Sequence, residues 1–214
     1  LSGLVGSEMC IRDSEYDPLG QRIVQRTVTG TTAEVRDCYY STAWQVLEER
    51  VRTSAGVIPS AANTQYVWSP VSVDALIERD RNTDGPAGSG PRGLEQRIYA
   101  LQDANWNVTS LVEAAGVPAT VTGAIINRFL YLPYGDMQVL SATWSRSLPN
   151  VAWHYLYQGL RVESATGLAM ARNRDYSPSL GRFIERDPLG FAAGDNNFYR
   201  FVGNAPVGRT DPSG

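Results

Sequence analysis

A chain of 214 residues with a formal charge of −3, its basic residues dispersed, lacks the electrostatic footprint of a nucleic-acid binder. No apolar run reaches the roughly eighteen residues of a helical membrane span, and one histidine with two cysteines is too small a ligand set for a zinc centre. A hydrophobic content of 43%, with 11 Tyr and 5 Trp, suffices for a core and points to strands.

Taken in chain order, the first stretch stands apart. "GLVGSEMCIRDS" (residues 3–14) has no alternation, no turn chemistry and no aromatic residue. Its apolar run is only Leu4-Val5 with no basic region before it, so it is not a secretory signal. From Glu15 the text changes: "EYDPLGQRIVQRTVTG" sets an aromatic-Asp pair and a Pro-Leu-Gly turn before a strand in which Ile23, Gln25 and Thr27 alternate with Val24, Arg26 and Val28. "AEVRDCYYSTAWQVLEERV" reads as a strand pair around Ser41-Thr42. "QYVWSPVSVDALIERDR", "RIYALQDANWNVTSLVEA", "NRFLYLPYGDMQVLSATW" and "WHYLYQGLRVESATGLAMARNRDY" repeat the plan of aromatic strand, polar turn and returning strand. Tyr40, Tyr66, Tyr99, Tyr131 and Tyr155 mark an irregular period of the kind seen in repeat architectures. The best helical candidate, "VEAAGVPATVTGAI", is broken by Gly116, Pro118 and Gly123. "RNTDGPAGSGPRG" (81–93) reads as a long loop between repeats. "SPSLGRF", "RDPLG" and "TDPSG" are turn text, Asp-Pro-x-Gly matching the type I preference, and Phe198–Phe201 read as an aromatic strand. The fold class expected is all-β, an antiparallel sheet of hairpins that stack because no hairpin buries a face alone.

Nucleophilic catalysis has little support. His154 lies between aromatics, no G-x-S-x-G elbow accompanies it, and a strand histidine on an aromatic face is the simpler reading. Cys10 and Cys38 permit one disulfide at most.

The last sixty residues carry a specific resemblance. "GL-x-x-x-R-x-R-x-Y-x-P-x-x-GRF", "RDPLGF", "GDNNFYRFVGNAP" and "DPSG", in that order, resemble the core domain that closes the repeats of Rhs (YD-repeat) proteins. "YDPLGQR" (16–22) and "YLPYGD" (131–136) resemble the YD repeats themselves. The opening "GLVGSEMCIRDS" resembles the translation of a sequencing adapter, which sets residues 1–14, Cys10 included, aside as non-native. Leu1 is then no native start, and the chain reads as a fragment.

The resemblance implies three segments: the non-native 1–14, hairpin repeats over 15–154 and the core domain over 155–214. It further implies a hollow β-shell around a C-terminal toxin or effector, and a core domain acting as an aspartyl autoprotease that cuts just downstream of itself. Such chemistry needs two carboxylates that share a proton. Asp187 in "RDPLG" is the first choice, its partner either Asp175 in "NRDYSP" or Asp211 in "TDPSG". Asp195, in the "GDNN" loop, ranks below them. For Asp211 a purely turn-forming role weighs as heavily as the catalytic one. Arg174 and Arg186, each just before an aspartate, are candidate orienting cations. "RDYSP" departs from the family's "RYYDP", which bears on Asp175. No cofactor, metal, nucleic acid or membrane span is expected. The expected partners are the N-terminal repeats of the same protein and the enclosed toxin, in a longer bacterial protein that is secreted or on the cell surface. With no bond beyond Gly214, the fragment is expected to be catalytically silent. The rival reading is a non-enzymatic surface or wall-associated module that binds carbohydrate or neighbouring cells through Tyr131, Tyr134, Trp144 and Trp153. A free-standing hydrolase lacks a nucleophile-base pair.

Overall fold

The computed structural model describes residues 11–29, 32–83, 93–115, 123–149, 151–164 and 166–214. Among the described residues ten strands, β1 (Ile11–Tyr16), β2 (Arg22–Thr29), β3 (Thr32–Tyr40), β4 (Val46–Val51), β5 (Thr64–Trp68), β6 (Leu76–Arg81), β7 (Gln96–Gln102), β8 (Val108–Ala115), β9 (Ala124–Tyr131) and β10 (Met137–Ser141), follow one another in sheet order without a crossover. A second sheet takes β11 (Arg161–Val162), β12 (Ala169–Ala171), β13 (Arg174–Ser177) and β14 (Arg182–Phe183), also in sequence order. The fold is all-β, as the alternation of the sequence requires. Among the described residues the only helical pieces are three short 3-10 turns.

The chain divides into two compact units, Leu1–Gln65 with Asp80–Glu95, and Tyr66–Arg79 with Gln96–Gly214. In the first, β2 pairs with β3 and β3 with β4, and Arg52 makes a two-pronged bond to Asp37 at 2.7 and 2.8 Å. Residues 1–10 lie outside the described residues. Ile11–Ser14, unpatterned in sequence, nevertheless run on into β1, with Ile11 opposite Val28. The physical reason is that an antiparallel partner strand needs only backbone donors and acceptors. The broken helical candidate resolves into the end of β8 and the start of β9, and its residues 116–122 lie outside the described residues, as do residues 84–92 of the long loop.

One turn recurs. At 17–21, 41–45, 53–57, 103–107, 132–136 and 141–145 the first residue's N–H bonds the fifth residue's carbonyl, and the fourth residue's N–H bonds the first residue's carbonyl. Where the first residue is Asp or Ser, its side-chain oxygen also accepts from the third and fifth N–H groups, as Asp17, Ser41, Asp103 and Ser141 all do. This is the Asx- and ST-turn chemistry that makes these residues turn formers. The fourth position is left-handed. Gly135 fills it at φ 91°, where a Cβ would come within 2.6 Å of the Tyr157 ring. Yet Trp44, Trp106 and Trp144 fill it too, at φ 65°, 62° and 66°. Left-handed backbone costs an L-residue about 1–2 kcal/mol, which the indole contacts must offset. Trp44 reaches across to Gly20, the same position of the preceding turn, and Trp144 lies 4.5 Å from the Arg128 guanidinium.

In the second unit an aromatic core forms under the small sheet. Tyr157, Leu160, Ala169, Ala171, Tyr176, Phe183 and Phe201 are buried together, with Tyr131 and Tyr134 packed against them. Tyr176 and Phe201 have ring centroids 4.1 Å apart, and Phe183 meets both edge-on. The tyrosines keep their hydroxyls satisfied: Tyr176 donates to the Tyr134 carbonyl at 2.7 Å and Tyr157 to the Pro133 carbonyl at 2.8 Å. Burial pushes both hydroxyls up, Tyr157 to about 12. The expected aromatic strand over Phe198–Phe201 is absent. The Asn197 side chain accepts from the Tyr199 N–H and its carbonyl from the Arg200 N–H, so the segment turns and keeps a single bridge, Arg182 to Arg200. His154 lies outside the strands, and its carbonyl accepts from the Val162 N–H. Cys38 is buried.

The left-handed tryptophans make a discriminating pair of variants. Trp144→Ala and Trp144→Gly both remove the indole from Arg128, but only glycine also relieves the backbone. The glycine variant should be the more stable by about 1 kcal/mol in urea unfolding. An alanine variant as stable as the glycine one would contradict the shared turn geometry.

Candidate active site

Three turn-rich segments converge on one buried guanidinium. Arg174 opens β13, and strand alternation puts it on the same face as Tyr176, over the aromatic core. Its guanidinium carbon sits 3.7 Å from the Phe183 ring centroid, and its side chain is only 5% exposed. A cation so buried must be neutralised. Two carboxylates do this through the same nitrogen: Arg174 Nη2 is 3.2 Å from Asp187 Oδ2 and 3.6 Å from Asp211 Oδ2. The two Oδ2 atoms are therefore no farther apart than those two distances combined. Arg174 Nη1 donates to the Phe198 carbonyl, while Nε has no partner although it is buried.

Each aspartate is fixed by its own turn. Asp187 Oδ1 accepts the Leu189 N–H at 2.8 Å, and the Asp187 carbonyl accepts the Gly190 N–H, closing the turn that "RDPLG" encodes. Asp211 Oδ1 accepts from the Ser213 hydroxyl and the Gly214 N–H, both at 3.0 Å. In both, turn formation occupies Oδ1 and leaves Oδ2 facing the cation. Turn-forming and ion-pairing roles coexist in one side chain.

The other sequence candidates lie elsewhere. Asp175 follows Arg174 on β13 and so faces the opposite side, with its N–H bonded to Glu185 at 2.7 Å. Arg186 is exposed, 5.2 Å from the Phe198 ring, rather than beside the pair. Asp195 is tied up locally by the Asn197 N–H and by Arg200, and the first of these leads in lowering its pKa. Sequence reasoning missed Asp74. It is 6% exposed, between β5 and β6, and pairs with Arg172 Nη2 at 2.8 Å. Burial raises its carboxyl above the ordinary value; Arg172 opposes that shift, and the charge of Asp211 adds to it. Of the four aromatics considered for carbohydrate stacking, Trp153 is buried and bonded to the Tyr155 carbonyl, Tyr131 and Tyr134 are half-buried, and Trp144 is exposed.

Among the described residues no group of three or more His, Cys, Asp or Glu is placed to hold a metal ion. Among them, too, no helix is long and apolar enough to cross a membrane.

No protein-family model matches the chain. It is 34% identical over 207 residues to "Toxin subunit YenC2" of Yersinia entomophaga, an alignment that covers 94% of this chain and 20% of that protein. It is 27% identical over 212 residues to "Salivary gland surface protein 1" of Aedes aegypti, covering 94% of this chain and 6% of that one. Among solved structures it resembles the crystal structure of TcdB2-TccC3 without its hypervariable C-terminal region, with TM-score 0.55, 20% identity, and coverage of 95% of this chain and 10% of that one. The chain thus spans a small part of the proteins it matches, and the structural likeness establishes the all-β fold.

Arg174→Met keeps the apolar stem over Phe183 and removes the shared cation. Two carboxylates are then left facing each other, and the variant should lose about 3 kcal/mol of stability in denaturant titration. A loss below about 0.5 kcal/mol would show that the three charges are not coupled.

Proposed function

We propose that the chain is the C-terminal part of an Rhs/YD-repeat shell, with a core domain that performs aspartyl autoproteolysis just downstream of Gly214. The observation that carries this reading is that Asp187 and Asp211 meet one nitrogen of one buried arginine. One proton shared by the pair makes the cluster of two carboxylates and one guanidinium neutral, the charge state that a buried site tolerates best. In that state one carboxylate accepts a proton from water while the other donates to the scissile carbonyl or leaving nitrogen. Which residue holds which proton belongs to the pair rather than to either side chain.

The same reading accounts for the hairpins. Repeats that bury no face alone stack into a continuous sheet, and in this proposal the sheet is one stretch of a shell around a C-terminal toxin. The N-terminal repeats of the same protein and the enclosed polypeptide are its partners, in a longer bacterial protein that acts outside the cell. The similarity to a toxin subunit supports this assignment. A second reading, a non-enzymatic surface module that binds carbohydrate, rests on Trp144, which is 59% exposed and backed by Arg128. That single platform supports stacking of one ring and no more.

The chain extended past Gly214 by its native downstream sequence should break shortly after the "DPSG" turn. Asp187→Asn and Asp211→Asn should each abolish the break, because an amide cannot hold the shared proton. Asp175→Asn should cut at the wild-type rate. Cleavage that persists in both the Asp187 and Asp211 variants would remove the aspartyl mechanism and leave a structural plug.

A further inference from the structure

The strap that carries Asp211 is gripped from outside the carboxylate pair. β12 and β13 are joined by the two-residue loop Arg172-Asn173, since Ala171 pairs with Arg174. Arg172 holds φ at 48°, a left-handed position usually given to glycine in such a turn. The strain is retained at a residue whose guanidinium is mostly buried. Arg172 Nη1 donates to the Pro212 carbonyl, and Nη2 bonds Asp74 Oδ1 at 2.8 Å. The neighbouring Asn173 gives both its N–H and its Nδ2 to the Ser213 carbonyl, at 3.2 and 2.9 Å. Two successive carbonyls of the strap are thus bound by the tip of one hairpin. Gly214 packs against the Ala171 carbonyl, where no Cβ would fit.

Asp74 is what holds the gripping side chain still. Without it, a long guanidinium on a strained turn has several rotamers and one weak acceptor. With it, the planar fork is fixed at both nitrogens. Asp74 is itself anchored, its carbonyl lying 3.4 Å from Gln102 Nε2. Neither Asp74 nor Arg172 bonds the Asp187 or Asp211 carboxylate, although the charge of Asp211 reaches Asp74; the pair is joined through Arg174.

We infer that Asp74 and Arg172 are positioning residues for the self-cleavage: they set the register of the strap, so that the peptide bond after it enters between Asp187 and Asp211. This rests on the autoproteolytic reading above and names the grip that delivers its substrate. Arg174 still holds Asp211 when the grip is lost, but Pro212 to Gly214 are freed to shift relative to it, so the reaction slows and loses its single cut site. A misplacement of about 1 Å at a reacting centre costs on the order of 100-fold in rate.

The test uses the full-length protein with its native downstream sequence, following cleavage over time and reading the new termini by intact mass. Asp74→Asn and Arg172→Met should each slow cleavage by at least about tenfold and give cuts at more than one bond. The double variant should be no slower than the slower single, because the two act as a unit, and Arg172→Lys should regain part of the rate and the single cut. Wild-type rate and a single cut site in both single variants would overturn the inference. The outcome for the parent reading is separate, since it fails only if both Asp187→Asn and Asp211→Asn still cut. A second measurement does not depend on cleavage. In the uncut Asp187→Asn background, Arg172→Met should speed hydrogen exchange at the Asn173 amide, which bonds Ser213, by at least about tenfold. Unchanged exchange there would contradict the grip even in a protein that does not cut.

Discussion

A single buried cation organises the last forty or so residues of this chain. The Arg174 guanidinium lies against the Phe183 ring with its side chain 5% exposed, and a charge in that position is tolerated only with counter-charges and hydrogen-bond acceptors close at hand. That requirement draws in two turns from far along the chain, one presenting Asp187 and the other Asp211. Turn formation needs one carboxylate oxygen of each aspartate and the cation takes the other. The same residues therefore shape the backbone and create the electrostatic pair.

The aromatic cluster below makes this arrangement rigid. Tyr176, Phe183 and Phe201 interlock, and the hydroxyls of Tyr176 and Tyr157 bond to backbone carbonyls of the turn between β9 and β10. Arg174 and Tyr176 are two residues apart on one strand face, so packing of the ring fixes the origin of the guanidinium. The hairpin plane, the core and the charged pair are consequences of one short strand.

Much of this was legible in the residues. Alternating Tyr and β-branched runs broken by Asp, Pro and Gly mark the hairpins directly, because side-chain period and turn chemistry are local properties. In "RDPLG" and "TDPSG" local chemistry gives only the turns; Asp187 and Asp211 are singled out as a candidate pair by the family resemblance. The errors have physical causes too. Arg174 was read with its sequence neighbour Asp175, but successive strand residues face opposite ways, and its partners come from turns later in the chain. The turns at Ser41-Thr42 and in "QDANWN" are legible as turns, but their identity with the glycine turns is not, since indoles rarely adopt the left-handed backbone that Trp44, Trp106 and Trp144 hold. The shared signal was available in the first position, where Asp17, Ser41, Asp103 and Ser141 play one role. Asp74 lies 98 residues from Arg172, and no local pattern links them. The Phe198–Phe201 segment had strand composition, but the Asn197 side chain bound its backbone first.

The coupling of Asp187 to Asp211 through Arg174 is the centre of the account, and a double-mutant cycle on stability measures it. Each of Asp187→Asn and Asp211→Asn leaves the buried cation one carboxylate, whereas the double variant leaves it none. The double loss should therefore exceed the sum of the single losses by about 1 kcal/mol or more. Single losses that add to within about 0.5 kcal/mol would contradict a shared cation.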